Sequence, residues 1–236
     1  MTHTDRPEEI HQHSGWLIPL AFLAVMVALS AIFLLYDLRP GPGPRVGRTA
    51  DAAPVPLTVR GLKLVVPANY LDSRDARQGG DQDTLTLSAL LPDMRGYSPD
   101  DARLFTGNAP DSPVVHLLFK GDENDLDAAA RLERIYRPYI AAPEGRQGDF
   151  GLTQYSFRAD SGYGRQDLFA GIAGGRLLLF LCERADPNLP SPNCLATGRP
   201  VGQNLSFSWR FKRAYLARWR EIAAGVDGLL TRFQAG

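Results

Sequence analysis

The sequence is poor in the side chains that carry most enzyme and metal chemistry. Its 236 residues include two cysteines and four histidines, and three of the histidines (His3, His11 and His13) precede the first long apolar segment. No spacing typical of a dinucleotide-binding glycine loop, a phosphate-binding loop or a serine-nucleophile elbow occurs. The fourth histidine, His116, lies in an apolar run, where a packed or edge position is the usual role. We therefore predict no catalytic residue, no metal site and no cofactor.

Charge of either sign is not in excess, since 26 basic and 26 acidic side chains give a net charge of zero. Nucleic-acid-binding domains normally carry a basic excess, so the balance argues against a nucleic-acid partner. Glycine and proline are common, at 23 and 18 residues. Many of them separate short apolar runs, which is typical of a fold rich in turns and strands.

One uncharged stretch is long enough to cross a membrane. Residues 16–36, WLIPLAFLAVMVALSAIFLLY, carry no charge, and at about 1.5 Å per residue they cover a hydrocarbon core of about 30 Å. Trp16 and Tyr36 stand at the two ends, where aromatic rings favour the headgroup level. A cleaved signal peptide would have a shorter apolar run, positive charge before it and a small-x-small site after it. We therefore predict an uncleaved transmembrane helix in the lipid bilayer, behind a polar tail of residues 1–15.

The rest of the chain is predicted to form a linker and one domain. Residues 37–56 alternate proline and glycine without hydrophobic periodicity, as spacers do, and residues 57–236 are assigned to a globular domain. Strands are predicted at 57–66, 84–91, 114–120, 152–158, 166–173, 176–182 and 204–211, and helices at 125–139 and 213–233. The expected class is α+β: a mainly antiparallel β-sheet with helices on one face, including a long C-terminal amphipathic helix.

The two cysteines flank a segment that cannot be helical. Cys182 and Cys194 enclose ERADPNLPSPN, whose three prolines favour a loop. A disulfide closing about a dozen residues would stabilise the fold by ~3 kcal/mol, and it would require an oxidising compartment. Two free thiols are the alternative. A zinc site is a third, but it would need two more ligands, and His116 is the domain's sole histidine.

The orientation of the domain depends on which signal is followed. One basic residue, Arg6, precedes the apolar stretch, and three, Arg39, Arg45 and Arg48, follow closely. By the positive-inside rule the domain would face the cytoplasm. A disulfide favours the opposite side. We give more weight to the cysteines and predict a periplasmic domain on a single-pass protein of the cell inner membrane.

Two polar clusters are candidates for binding. From residue 205 to 236 there are six basic and two acidic side chains, a surplus suited to an acidic partner or to anionic lipid. A solvated helix face is the alternative. A second cluster, at residues 69–77, follows a predicted strand and includes Asp72 and Arg77. The contacts predicted for the basic cluster are Arg210, Lys212, Arg213, Arg218 and Arg220.

Two parts of the chain carry a family resemblance. The run VPANYLDSRDARQGGDQDTLTLSALLPDMRGYS lies near the domain start, and CERADPNLPSPNC is followed by NLSFSWRFKRAYLARWREI. Both resemble uncharacterised single-span membrane proteins of alphaproteobacteria. The resemblance covers most of the domain and implies a bacterial inner-membrane setting with a periplasmic domain. It implies no activity and no functional residues.

Three functions remain open at the level of sequence. We expect an inner-membrane-anchored, non-enzymatic periplasmic module that binds or supports another envelope protein. A ligand- or lipid-binding sensor domain is the first alternative, and it needs an apolar cavity between the sheet and the last helix. An anchored hydrolase is the second alternative, and it needs a deep cleft with paired carboxylates.

Overall fold

A computed structural model describes residues 17–37, 47–124 and 126–235. The chain divides into two units, Met1–Gly43 and Pro44–Gly236. The first unit contains one helix, α1 (Leu17–Asp37), and the apolar side chains from residue 18 to 33 are exposed. Within the described residues, no helix combines the length and the apolar character that a membrane crossing requires.

The structure thus confirms a helix at the predicted place, while its crossing of a membrane stays a sequence-based prediction. Trp16 lies outside the described residues, and so does the side chain of Tyr36.

The second unit is built mainly from β-strands. Its strands are β1 (Pro54–Val59), β2 (Leu62–Pro67), β3 (Gly80–Gln82), β4 (Thr84–Leu90), β5 (Val114–Gly121), β6 (Arg146–Gln147), β7 (Thr153–Ser156), β8 (Gln166–Ala173), β9 (Arg176–Glu183), β10 (Asn193–Gly202) and β11 (Leu205–Lys212). Its helices are α2 (Ala102–Thr106), α3 (Ala128–Arg131) and α4 (Trp219–Ala235). A π turn (Leu132–Tyr136) and a 3-10 turn (Arg137–Tyr139) continue α3, and a 3-10 stretch (Arg213–Arg218) leads into α4.

Two sheets organise this unit. The large sheet has eight strands in the order β4-β5-β11-β10-β9-β8-β7-β6, and all its neighbours are antiparallel. The small sheet has the order β2-β1-β3, with β1 antiparallel to β2 and parallel to β3. The predicted class, α+β with a large antiparallel sheet and a C-terminal helix, is confirmed.

Two strand predictions need correction. The predicted strand 57–66 is a hairpin, because Arg60 and Gly61 both adopt positive φ, 47° and 89°, and so form the tight turn between β1 and β2. Strand β10 was not predicted at all. Its pairing with β11 shifts register between Ala196 and Arg199 and again between Pro200 and Gly202, so its residues do not alternate cleanly.

The inner side of the large sheet holds the main core. Strand register places six apolar side chains in one row across it: Leu87, Leu117, Trp209, Ala196, Phe180 and Phe169. Helix α4 packs on this side with five residues at steps of three and four, Trp219, Ile222, Val226, Leu229 and Phe233, all of them buried. The predicted amphipathic helix is therefore confirmed.

The outer side of the sheet is covered over only part of its width. The helical stretch 128–139 packs there through Leu132 and Tyr136 against Leu168 and Leu179 of β8 and β9. Helices thus lie on both faces of the sheet, which corrects the prediction of helices on one face. Strand β9 is central and covered on both sides, as its apolar sequence predicts.

Candidate functional site

Four neighbouring strands of the large sheet, β4, β5, β11 and β10, present side chains to solvent on the outer side. The helical stretch that covers β8 and β9 reaches β10 through α3, and its Arg131 and Tyr136 border this surface. Inward residues of these strands are buried, and outward ones are partly or fully exposed over the middle of the surface, while at one end the outward residues Ser88, Leu90, Val114 and Lys212 are buried. We call this surface the open face, and it consists of Thr86, His116, Leu118, Lys120, Leu195, Ser208 and Arg210.

Three adjoining depressions follow the open face. The middle one, of about 340 Å³, has His116, Leu118, Leu195 and Arg210 in its lining. A second, of about 420 Å³, shares Leu118 and Leu195 and extends toward Lys120. A third, of about 230 Å³, shares His116 and Arg210 at the other end. The depressions form one continuous, uneven surface with apolar, neutral polar and basic side chains, and its two acidic lining residues, Asp72 and Asp122, are paired with Arg48 and Arg131.

A chain of hydrogen bonds fixes one edge of the open face. Arg48 Nη1 donates to Asp72 Oδ1 over 2.7 Å, and Ser88 Oγ lies 2.9 Å from both carboxylate oxygens of Asp72. His116 Nδ1 lies 3.0 Å from the same Ser88 oxygen. Arg48 belongs to the segment predicted as linker, so the fold of the second unit includes part of that segment.

The donor of each hydrogen bond in this network follows from counting the available protons. A serine hydroxyl has one proton, and the carboxylate of Asp72 can only accept, so Ser88 donates to Asp72 and His116 Nδ1–H donates to Ser88. Burial lowers the pKa of His116, the charge of Arg210 lowers it further, and Asp72 opposes both. His116 is therefore neutral at pH 7, with Nε2 left as an acceptor.

This network resembles a catalytic triad only in composition. In a triad the histidine lies between the acid and the hydroxyl, whereas here Ser88 lies between Asp72 and His116. Ser88 is also fully buried, with 0% exposure. Its hydroxyl is engaged on both sides, so the arrangement positions the ring of His116 and does not present Ser88 to a substrate.

The predicted disulfide is confirmed. Cys182 on β9 and Cys194 on β10 lie directly opposite each other, form a disulfide and are both fully buried. The bridge closes the loop between the two strands. Glu183 also ties that loop, because its Oε2 accepts hydrogen bonds from the backbone N–H and the side-chain amide of Asn193, at 2.8 and 3.1 Å.

A buried carboxylate lies next to the disulfide. Asp167 on β8 is opposite Cys182 and accepts hydrogen bonds from Arg184 at 2.9 Å and Arg213 at 2.8 Å. Burial alone would raise the pKa of Asp167, but the hydrogen bonds from Arg213 and Arg184 outweigh it and hold the pKa below its ordinary value. Arg213, one of the predicted contact residues, is thus engaged in an internal ion pair.

The predicted basic cluster does not form one surface. Arg210 belongs to the open face and is exposed, whereas the side chain of Lys212 is buried and donates to Asn108 Oδ1 over 2.6 Å. Arg218 pairs with Glu221 at 2.8 Å, and Arg220 donates to the carbonyl oxygen of Phe150 at 3.0 Å; both lie by the start of α4, the helix on the inner side of the sheet. Arg210 and Lys212 lie two residues apart and so share one side of β11, whereas Arg213, Arg218 and Arg220 follow the end of that strand. The change from strand to helix along the basic stretch therefore separates its residues.

The second polar cluster contributes to folding. Asp72 accepts from Arg48 and Ser88, while Arg77 donates to the carbonyl oxygen of Leu71 over 2.9 Å and to that of Gly47. These contacts hold the segment that precedes β1 against the domain.

The space between the large sheet and α4 is tightly filled. A Cβ atom added to Gly171 would lie 2.7 Å from the ring of Trp219, which is itself completely buried. One added to Gly225 on α4 would lie 2.8 Å from the side chain of Met94. A lipid-binding domain would need a cavity at this place, so the packing argues against that alternative.

The fold and the site together define a disulfide-linked α+β domain with half of one sheet face open to solvent. A comparison with protein-family models finds no match, and a comparison with curated proteins finds none either. A comparison with solved structures finds an immunity protein of the Stenotrophomonas maltophilia type IV secretion system. It is 19% identical, with a TM-score of 0.53, and the match covers 80% of this chain and 98% of that chain. At this identity the likeness shows a shared fold.

Proposed function

We propose that this chain is a membrane-anchored, periplasmic protein-binding module of the immunity type, which binds a partner protein through the open face. The observation that carries the proposal is the uncovered half of the large sheet. In the same sheet β8 and β9 are covered on both sides, whereas the open face has partly or fully exposed outward side chains and presents a mixed polar and apolar surface. The fold neighbour is described as an immunity protein of a secretion system, and immunity proteins of the colicin DNase type form very tight complexes with their partners, so the shared fold supports a protein-binding function.

The composition of the open face suits a protein rather than a small ligand. Leu118 and Leu195 supply apolar contact area, while His116 and Ser208 supply hydrogen-bonding groups beside them. Four strands about 4.8 Å apart, with about five residues of each at about 3.4 Å, span about 330 Å² before side-chain relief is counted. One side of a standard interface takes about 800 Å², so the open face would form the centre of one and not the whole of it.

Charge indicates an acidic partner. Lys120 and Arg210 are exposed on the open face, and neither has a carboxylate within 4.0 Å in the part of the chain that the structure describes. The acidic residue lining the middle depression, Asp72, is already paired with Arg48. An acidic patch on the partner would therefore meet uncompensated positive charge, which raises both specificity and association rate.

The location is proposed from the disulfide and the N-terminal sequence. A buried disulfide persists in an oxidising compartment such as the periplasm. The uncharged residues 16–36, and the family resemblance described above, support an anchor in the inner membrane. The full chain is then expected in the membrane fraction after a high-salt wash, and a chain starting at residue 44 in the soluble fraction. Recovery of the full chain from the soluble fraction would contradict the anchor.

Site-specific photo-crosslinking in cells tests the binding face. A photoreactive residue is placed at Ser208 or Leu195 on the open face, or at Ala224 or Thr231 on the exposed side of α4 as matched controls. We expect an adduct of one discrete mass from the two open-face positions and none from the controls. Adducts from α4 alone, or from none of the four positions, would contradict the proposal.

A further inference from the structure

One end of the open face contains a small basic pocket. It is the depression of about 230 Å³ described above. Three adjacent strands line it, with His116 from β5, Arg210 and Lys212 from β11, and Asn193 from β10. The loop after α2 closes its far end through Asn108. Among the residues that line it there is no acidic side chain.

Lys212 has unused binding capacity at the wall of this pocket. Its side chain is 7% exposed. The ammonium group has three N–H donors, and in the structure Nζ donates to Asn108 Oδ1 at 2.6 Å and to the carbonyl oxygen of Ser191 at 3.3 Å. Both acceptors are neutral, and no described carboxylate lies within 4.0 Å of Nζ. A buried ammonium without an anionic partner is costly, so an incoming anion would be bound favourably.

The other charges around the pocket have the same sign. Arg210 lies beside Lys212 on β11, and burial followed by the charge of Arg210 lowers the pKa of Lys212. The charge of Glu183 raises the pKa of Lys212, but Glu183 does not line the pocket and accepts hydrogen bonds from Asn193. An anion in the pocket would therefore meet two cations and a neutral histidine that faces it from β5.

The size of the pocket limits what the anion can be. Pockets for whole small-molecule ligands measure about 300–1,000 Å³, and this one is smaller. We infer that this pocket receives the carboxylate of a single Asp or Glu side chain from the partner protein, held between Lys212 and Arg210 as the anchor of the interface. The inference rests on the proposed function and specifies what the partner must present. Charged, desolvated anchors of this kind commonly dominate the energy of an interface.

The full chain offers an internal reporter for a test. The imidazole proton signals of His116 are followed by NMR, and those of His3, His11 and His13 in the tail serve as reference. The probe is N-acetylglutamate α-amide, which carries one side-chain carboxylate, and the control probe is N-acetylglutamine amide, its neutral analogue. Ionic strength is matched with sodium chloride.

We expect a saturable shift of the His116 signals with the glutamate probe, a rise in the pKa of His116, and no shift with the glutamine probe or at the tail histidines. Lys212→Met should raise the Kd of the glutamate probe by about tenfold or more, because the variant loses a hydrogen bond to a charged group. Arg210→Gln, at an exposed position, gives a second variant if Lys212→Met does not fold, and it should weaken binding in the same direction. Arg218→Gln should leave binding unchanged.

The inference is overturned if the His116 signals do not respond to the glutamate probe, or if both pocket variants respond as the unmodified chain does. Its failure can be told apart from failure of the proposed function. If the His116 signals do not respond to the glutamate probe while cross-links still form at Ser208, the carboxylate anchor alone is refuted. If the signals respond but no cross-links form, the binding face is refuted.

Discussion

Removing the disulfide should lower the free energy of unfolding by about 3 kcal/mol. Cys182 and Cys194 are 12 residues apart. Closing a loop of that length removes about 9–10 cal/mol/K of entropy from the unfolded chain, which corresponds to about 3 kcal/mol at 25 °C. Both residues are fully buried against the main core, so replacement by alanine also removes two packed sulfur atoms. The double variant Cys182→Ala/Cys194→Ala combines both effects.

Urea unfolding of the full chain at pH 7 measures this loss. With a slope of about 2 kcal/mol/M, a change of about 3 kcal/mol lowers the midpoint by about 1.5 M. The unmodified chain should show the same direction of change on addition of a reducing agent, while the double variant should be insensitive to it. A midpoint that stays the same in the unmodified chain after complete reduction would refute the argument that loop closure stabilises this fold.

Three further outcomes follow from the packing and the ion pairs. Gly171→Ala should lower the free energy of unfolding by about 1–3 kcal/mol, because its Cβ would collide with the ring of Trp219. Gly228→Ala should raise it by about 0.5–1 kcal/mol, because its Cβ would meet open space on α4. Thermal unfolding that ranks the two variants the other way would contradict the described core. Asp167→Asn should destabilise the fold most at neutral pH. Because the folded-state pKa of Asp167 is lowered, its carboxylate stabilises the fold above about pH 4, and this stabilisation is lost as the pH falls through the folded pKa. If the urea midpoints of the variant and the unmodified chain differ equally at pH 7 and pH 3, the ion pairs assigned to Asp167 are wrong. Ser88→Ala should destabilise by about 1–3 kcal/mol, because Asp72 and the His116 ring each lose a buried hydrogen-bond partner, and NMR should show altered His116 signals; unchanged stability and signals would contradict the network.

Local alternation made the large sheet predictable. Strands β4 and β11 alternate between apolar and polar residues over six and eight positions, and β5 is a short apolar run that ends at Lys120, so the boundaries of all three were predicted to within one residue. The hairpin at Arg60-Gly61 was missed because an arginine with positive φ is uncommon, and the usual hairpin signals place Asn or Asp before the glycine. In β10, Gly198 and Pro200 interrupt the alternation that would have identified it.

The candidate site could be predicted only in part. Alternation along β11 already places Arg210 and Lys212 on the side opposite Trp209, but the burial of Lys212 depends on the loop that carries Asn108. Ser88 occupies an outward position on β4, next to the exposed Thr86, and sequence alone gives no reason for it to be buried. It is buried because segments far apart in the chain pack over it, and no local pattern encodes such contacts.

The measurement that tests the account most directly is the affinity of the cross-linked partner for two charge-reversal variants. Arg210→Glu changes the open face, and Arg218→Glu makes the same change of charge by the start of α4, on the inner side of the sheet. If a partner binds the open face through its acidic surface, Arg210→Glu should raise the Kd at least about tenfold and Arg218→Glu should change it little. Equal effects of the two variants, or a larger effect of Arg218→Glu, would contradict binding at the open face.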